Sequence, residues 1–246
     1  MKAMIFAAGR GERMRPLTDA APKPLLAVGG KPLIVWQIEA LARAGFTDIV
    51  INHAWLGAQI EATLGDGSAF GVRLAYSAES EALETAGGIA QARALLEGAG
   101  NIFLAIAGDV FTSFDFATLR PHAAHMATQA APQMHLVMVP NPSFHPTGDF
   151  ALDAAGRLHL RDDAPAAAES LTFGSIALYD LRLFDGIAPG TRMALTPLYQ
   201  RSIAAGQASG ERFDGIWENV GTPAQLAALD AEVRARHDVA PGSRIA

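Results

Sequence analysis

Cysteine is absent from the 246 residues. No disulfide framework, thiolate metal site or cysteine nucleophile can therefore be built. Lysine is scarce: Lys2, Lys23 and Lys31 are all there are, and every other cation is arginine. Charged residues make up 18% of the chain, and 25 acids against 19 bases leave a net charge of −6. So sparse and acidic a composition argues against a nucleic-acid partner. Runs of roughly 18 apolar residues are missing, so no membrane span is expected. The apolar stretch Ala3–Ala8 is too short for a signal-peptide core and ends in Gly9 and Arg10, which points to the cytoplasm. Half the residues are hydrophobic, which excludes a disordered chain.

What charge there is lies unevenly. Residues 1–31 hold Lys2, Arg10, Arg13, Arg15, Lys23 and Lys31 against Glu12 and Asp19, a local +4 on a remainder of −10. Either a local anion site or a solvated basic loop would produce this pattern.

Short apolar runs alternate with amphipathic segments through the first half. Strands are expected at Met4–Ala7, Asp48–Asn52, Val72–Tyr76 and Asn101–Ala107, and helices at Pro32–Ala44, Leu56–Leu64 and Gly88–Leu96. Strands that are apolar throughout, separated by helices, indicate a parallel sheet covered on both faces, an α/β doubly wound unit. Beyond residue 125, strands are expected at His135–Val139, Phe150–Leu152, Arg157–Arg161 and Leu171–Tyr179, then helices at Leu195–Ala205 and Pro223–Ala235. These extend the sheet into a mixed one. No linker divides the chain, so a single domain is expected over residues 1–236, with halves 1–125 and 126–236 and a tail at 237–246.

The chemistry concentrates in Ala7–Leu25, AAGRGERMRPLTDAAPKPL. Its glycines let backbone N–H groups approach a phosphate, and its arginines and Lys23 supply forked and point charges. The loop follows the first strand, where open α/β sheets bind ligands. It is not a Walker loop, because G-x-x-x-x-G-K-[ST] is absent. Nor is it a dinucleotide fingerprint, because Met14 holds the third glycine position. Asp109 follows the apolar strand Asn101–Ala107. A hard carboxylate there suits Mg²⁺, or caps the next turn.

This stretch resembles the signature of the sugar-1-phosphate nucleotidyltransferase family, a Gly-x-Gly-x-Arg loop followed by Pro-Lys-Pro. The matching residues are Gly9, Gly11, Arg13, Pro22, Lys23 and Pro24. The resemblance implies a Rossmann-like mixed sheet of the nucleotide-diphospho-sugar transferase type. It also implies attack by a sugar 1-phosphate on the α-phosphorus of a nucleoside triphosphate, with release of pyrophosphate. Ala8, Gly9, Gly11, Arg13 and Lys23 would hold the nucleotide, with Arg13, Lys23 and Asp109 catalytic and Asp109 on the Mg²⁺ cofactor. Gly87 and Gly88 would meet the base, or serve only to start a helix. His53 reads as facing the nucleotide or as making a local hydrogen bond.

The chain also departs from the family. Its Asp-Val-Gly-Thr appears as Asn219–Val220–Gly221–Thr222, so Asn219 would be the second metal ligand, without charge. The lysine of its Glu-Lys-Pro is missing, with Arg161–Asp162–Asp163–Ala164–Pro165 in that region, and Arg192 is a candidate replacement or a surface arginine. Gly148 and Asp149 would lie against the sugar, and Phe173 beside it or in the core. The segments Asn52–Leu56, Leu64–Ser68 and Gly148–Phe150 resemble a uridylyltransferase subgroup of cell-wall recycling, which implies UTP and N-acetylmuramate 1-phosphate as partners. A guanylyl- or thymidylyltransferase on hexose 1-phosphates, and a catalytically silent nucleotide-sugar binder, are the alternatives. His122 and His125 fall three apart on an expected helix with no third ligand in view, which reads as a solvated pair.

Overall fold

The computed structural model describes residues 1–98 and 100–239. Strand β1 (Ala3–Ala7) leads through a glycine loop to α1 (Leu17–Ala20) and the small hairpin β2 (Ala27–Val28) and β3 (Lys31–Pro32). Then come α2 (Leu33–Arg43), β4 (Asp48–His53), α3 (Gly57–Leu64), β5 (Arg73–Ala78), α4 (Glu84–Leu96), β6 (Ile102–Ala107), β7 (Val110–Thr112) and α5 (Leu119–Ala127). The second half adds β8 (Met134–Val139), β9 (Phe150–Leu152), β10 (Leu158–His159), β11 (Glu169–Asp180), α6 (Thr196–Ala204), β12 (Ala208–Arg212), β13 (Trp217–Asn219) and α7 (Pro223–Val239). Helix α7 runs on into the first residues of the expected tail, and residues 240–246 lie outside the described residues.

One mixed sheet organises these elements into a single α/β domain. Strands β5, β4, β1 and β6 lie side by side and parallel. Antiparallel β11 joins β6 to β8, and parallel β12 closes that edge. Strand β1 alternates: Ala3, Ile5 and Ala7 face α2, α3 and α5, while Met4 faces α4 and α6. Both faces are therefore covered, which is why these strands read as continuous apolar runs. From β1 the chain goes to β4 and β5 on one side and returns to β6 on the other. The crevice outside the carboxyl ends of β1 and β6 is the switch point where such sheets take ligands.

Three differences from the sequence reading have local causes. Helix α4 starts at Glu84, a turn before Gly88, because the Glu79 carboxylate accepts the Leu83 N–H just ahead of it. Strand β12 (ASGER) has no apolar pattern and is ordered by its ladder with β8. The ribbon of β7 and β13 is only three residues long and likewise exists through pairing.

Candidate active site

The loop after β1 is shaped by Gly11, whose φ of 66° lies in the left-handed region that favours glycine. A side chain there would also press on Thr18 and Lys23 at 3.1 and 3.3 Å. Gly9 has open space where a side chain would be. Ala8, at the root of the loop, is 9% exposed. Met14, which breaks the dinucleotide pattern, is fully buried in a small core with Val28, Leu33, Val220, Leu229 and Val233. Its side chain anchors the loop onto α7 and the segment after β13. On the loop's outer side, Arg10 lies 3.8 Å over the Trp55 ring, and both donate to the Thr18 carbonyl.

Lys23 is 8% exposed and forms an ion pair with Asp109. Asp109 follows β6, and the turn around it is held from below by Gln37 of α2. The Gln37 amide donates to the Ala107 and Val110 carbonyls at 2.6 and 2.7 Å. Gly108 approaches the Phe6 carbonyl so closely that a Cβ would stand 2.6 Å from it. Together Gly9, Gly11, Arg13, Lys23, Asp109 and Gly221 line a cavity of about 380 Å³. Two cations, three glycines and the acids Glu12 and Asp109 thus border one space.

Asn219 borders the same site. In the β7–β13 ribbon it pairs with Val110, and the next residue's N–H reaches the Asp109 carbonyl at 3.1 Å. Its Oδ1 is buried with no hydrogen-bond partner. A buried acceptor left unpaired costs free energy, and an amide oxygen is of the donor type that a hard cation takes. Asp109 and Asn219 supply the hard oxygen donors that Mg²⁺ takes. Glu218 turns outward, and burial with Glu232 near it pushes its carboxyl up.

A buried polar chain ties the loop to α4. The Asn52 side-chain oxygen accepts the Ala7 N–H at 3.1 Å, and its amide donates to Glu79 at 2.6 Å. Gly88 sits against this pair, and a Cβ would come within 2.8 Å of both. Gly87 packs on the segment before α6: its N–H donates to Met193, and a Cβ would stand 2.1 Å from the Thr191 carbonyl. Both glycines are therefore required by packing. Arg192, in that segment, is exposed and meets Glu84 at 3.1 Å on the rim.

A third group forms around β11. Gly148 has φ 65°, and the Asp149 carboxylate accepts the Phe173 N–H at 2.8 Å and faces His145 at 3.1 Å. Phe173 meets Tyr199 edge to face. The ladder of β11 with β8 shifts register between Phe173 and Ala177, where Ser175 takes φ 57°. Strain of that kind clusters at sites. Trp217 donates to the Gly174 carbonyl at 2.8 Å, so β13 links this group to Asn219.

His53 lies apart from that cavity. The residue is 5% exposed, its ring bonded to Glu61 at 2.7 Å and packed over Gly57, which is the local hydrogen bond of its two readings. Gln37 and Glu79 stand in no motif and escape sequence reading. The only signal at Gln37 is a polar side chain in the otherwise apolar first turns of α2.

Comparison with known proteins identifies the family. Residues 2–159 match the model of the family described as "Nucleotidyl transferase". An N-acetylmuramate alpha-1-phosphate uridylyltransferase of Neisseria meningitidis serogroup B is 49% identical over 232 residues, covering 92% of this chain and 95% of that protein. One from Caulobacter vibrioides is 35% identical, covering 94% and 96%. The crystal structure of HddC from Yersinia pseudotuberculosis, complexed with GMP-PN, shares the fold at a TM-score of 0.74 and 15% identity, covering 94% of this chain and 98% of that one.

Proposed function

The chain belongs to the nucleotidyl transferase family, and from that premise we propose that it transfers UMP from UTP to N-acetylmuramate 1-phosphate in cell-wall recycling in the cytoplasm. The sugar phosphate oxygen attacks the α-phosphorus, a new P–O bond forms, and the bond to the leaving pyrophosphate breaks. That oxygen is ionised near neutral pH, so no general base is required. The observation that carries this reading is Lys23 paired with Asp109 beneath a glycine loop that also carries Arg13.

Arg13, Lys23 and the Gly9 and Gly11 amides would hold the triphosphate and offset charge that grows in the transition state. Asp109 and Asn219 would hold Mg²⁺, which supplies further charge neutralisation when bound. Gly87 and Gly88 would border the base. Gly148, Asp149, Phe173 and Arg192 would receive the sugar. Among the described residues no helix is long and apolar enough to cross a membrane.

Lys23→Ala and Asp109→Ala are expected to lower pyrophosphate release by at least about 10²- to 10³-fold while cooperative thermal unfolding survives. Near wild-type turnover in either variant overturns the mechanism. UTP, GTP and dTTP, each offered with muramate or hexose 1-phosphates, test the substrates; a preference for GTP or dTTP with a hexose phosphate replaces the uridylyl reading. The uncharged Asn219 favours one other reading, a silent nucleotide-sugar binder, which would bind UDP-sugar and release no pyrophosphate.

A further inference from the structure

Far from the cavity, three side chains from separate elements converge: His122 of α5, His135 of β8 and Glu211 of β12. Their ligand atoms lie within 4.8 Å of one another. His135 pairs through Leu178 with the level of Leu104, five residues before Asp109 and two strands away. At the rise of a β-strand that is roughly 17 Å along the sheet.

The polar bookkeeping at this cluster does not close with protein atoms alone. His135 is 2% exposed, and its Nδ1 lies 2.8 Å from the Ser209 hydroxyl. Ser209 has its own acceptor, the Met134 carbonyl at 3.5 Å. With that proton assigned, Ser209 accepts from His135 Nδ1–H, and the lone pair falls on Nε2. That Nε2 is buried without a partner, and so is Oε1 of Glu211. The two face each other at 3.8 Å, too far for a hydrogen bond. His122 Nε2 stands 3.9 Å from the other Glu211 oxygen. Two buried acceptors aimed at one gap leave a place that a cation between them would satisfy.

We propose that His122, His135 and Glu211 form a binding site for a late first-row divalent cation of the zinc type, separate from the site at Asp109. Two imidazoles and one carboxylate are a donor set that zinc takes, leaving a fourth position for water. Ligand atoms around a tetrahedral zinc stand about 3.3 Å apart, half an ångström inside the two imidazole–carboxylate spacings found here. Ser209 on His135 is the outer partner that orients a metal-bound histidine. The two rings now stack at 4.0 Å, so binding turns the His122 ring, 44% exposed, out of the stack toward the carboxylate. Bound there, the cation fastens edge strand β12 to β8 and α5. His125, three residues along α5, lies outside the set.

The chelator-stripped full chain, titrated with Zn²⁺ against a chromophoric competitor, tests the site. One zinc ion is expected to bind wild type and Asp109→Ala alike. His122→Ala and Glu211→Gln should weaken binding by more than about 10-fold, and Ser209→Ala by about 10-fold. His125→Ala should leave it unchanged. Co²⁺ should give visible bands of low coordination number, absent from Glu211→Gln. Circular dichroism checks the fold of each variant, and Ser209→Ala keeps all three ligands should another fail. Zinc binding that disappears with Asp109→Ala, or that His122→Ala and Glu211→Gln both retain, overturns the proposal, as does no binding at all.

Discussion

Lys23 and Asp109 hold each other where both would otherwise face a dense charge alone. The pair keeps the lysine extended into the cavity, so little side-chain entropy remains to be lost when a phosphate arrives. Asn219 is one of the two departures from the family pattern that the sequence resembles, and its unpartnered oxygen is neutral. Replacing it with aspartate adds a charge beside Asp109. Asn219→Asp should therefore lower the Mg²⁺ concentration for half-maximal pyrophosphate release by about tenfold, a 1.4 kcal/mol effect. It should also lower the melting temperature without Mg²⁺, through repulsion between the two carboxylates. An unchanged Mg²⁺ requirement would place Asn219 outside the metal's reach. The signature loop, Lys23 and Asp109 were all legible in the sequence, since each stands in a contiguous motif. Gln37 was not: an amide in the middle of a helix announces nothing until its two carbonyl partners are seen.

At the scale of elements, α4 owes its position to contacts that tolerate no side chain. In Gly87→Ala the new methyl meets the Thr191 carbonyl. The expected cost is about 1–3 kcal/mol, read as a fall in urea midpoint, with a larger loss in kcat/KM because the Arg192 segment moves off the rim. Wild-type stability and activity together would refute this packing role. The β9–β10 hairpin is organised by Asp153, which accepts from His159, from the Arg157 side chain and from the Ala155 and Arg157 N–H groups. His159 first, then Arg157, holds its carboxyl well below the usual range. A depressed carboxyl contributes stability above its unfolded value, near 4, and loses it as pH falls through its folded value. Asp153→Asn should thus melt lower than wild type at pH 7, with the gap closing in acid. A gap that ignores pH would assign the effect to geometry instead. The hairpin strands were read as short segments with a turn between them, the second longer than the Leu158–His159 found. Strand β12 was not, because alanine, serine and glycine carry no periodicity.

Across the whole molecule, the cavity proposed for the nucleotide is assembled from both ends of the chain. The loop after β1, the turn after β6 and the segment after β13 meet over the core that holds Met14 against Val220 and Val233. A ligand that spans these parts ties them together. Mg²⁺ and UTP at a hundred times the dissociation constant should add about 2.7 kcal/mol, a rise of about 5–11 °C in Tm for a chain of this size. Lys23→Ala should abolish most of that rise; an equal rise in the variant would show that the nucleotide does not use this lysine. Composition, periodicity and the contiguous motifs determined the doubly wound class, the glycine loop after the first strand and the placement of Asp109, because a loop's chemistry is written in adjacent residues and a strand's burial in its own pattern. Only the tertiary structure decided that Lys23 meets Asp109, that Arg192 stands against Glu84, and that His122 finds His135 and Glu211 instead of His125. Those pairings depend on strand register and crossover, which bring residues dozens of positions apart into contact through the packing of the whole sheet.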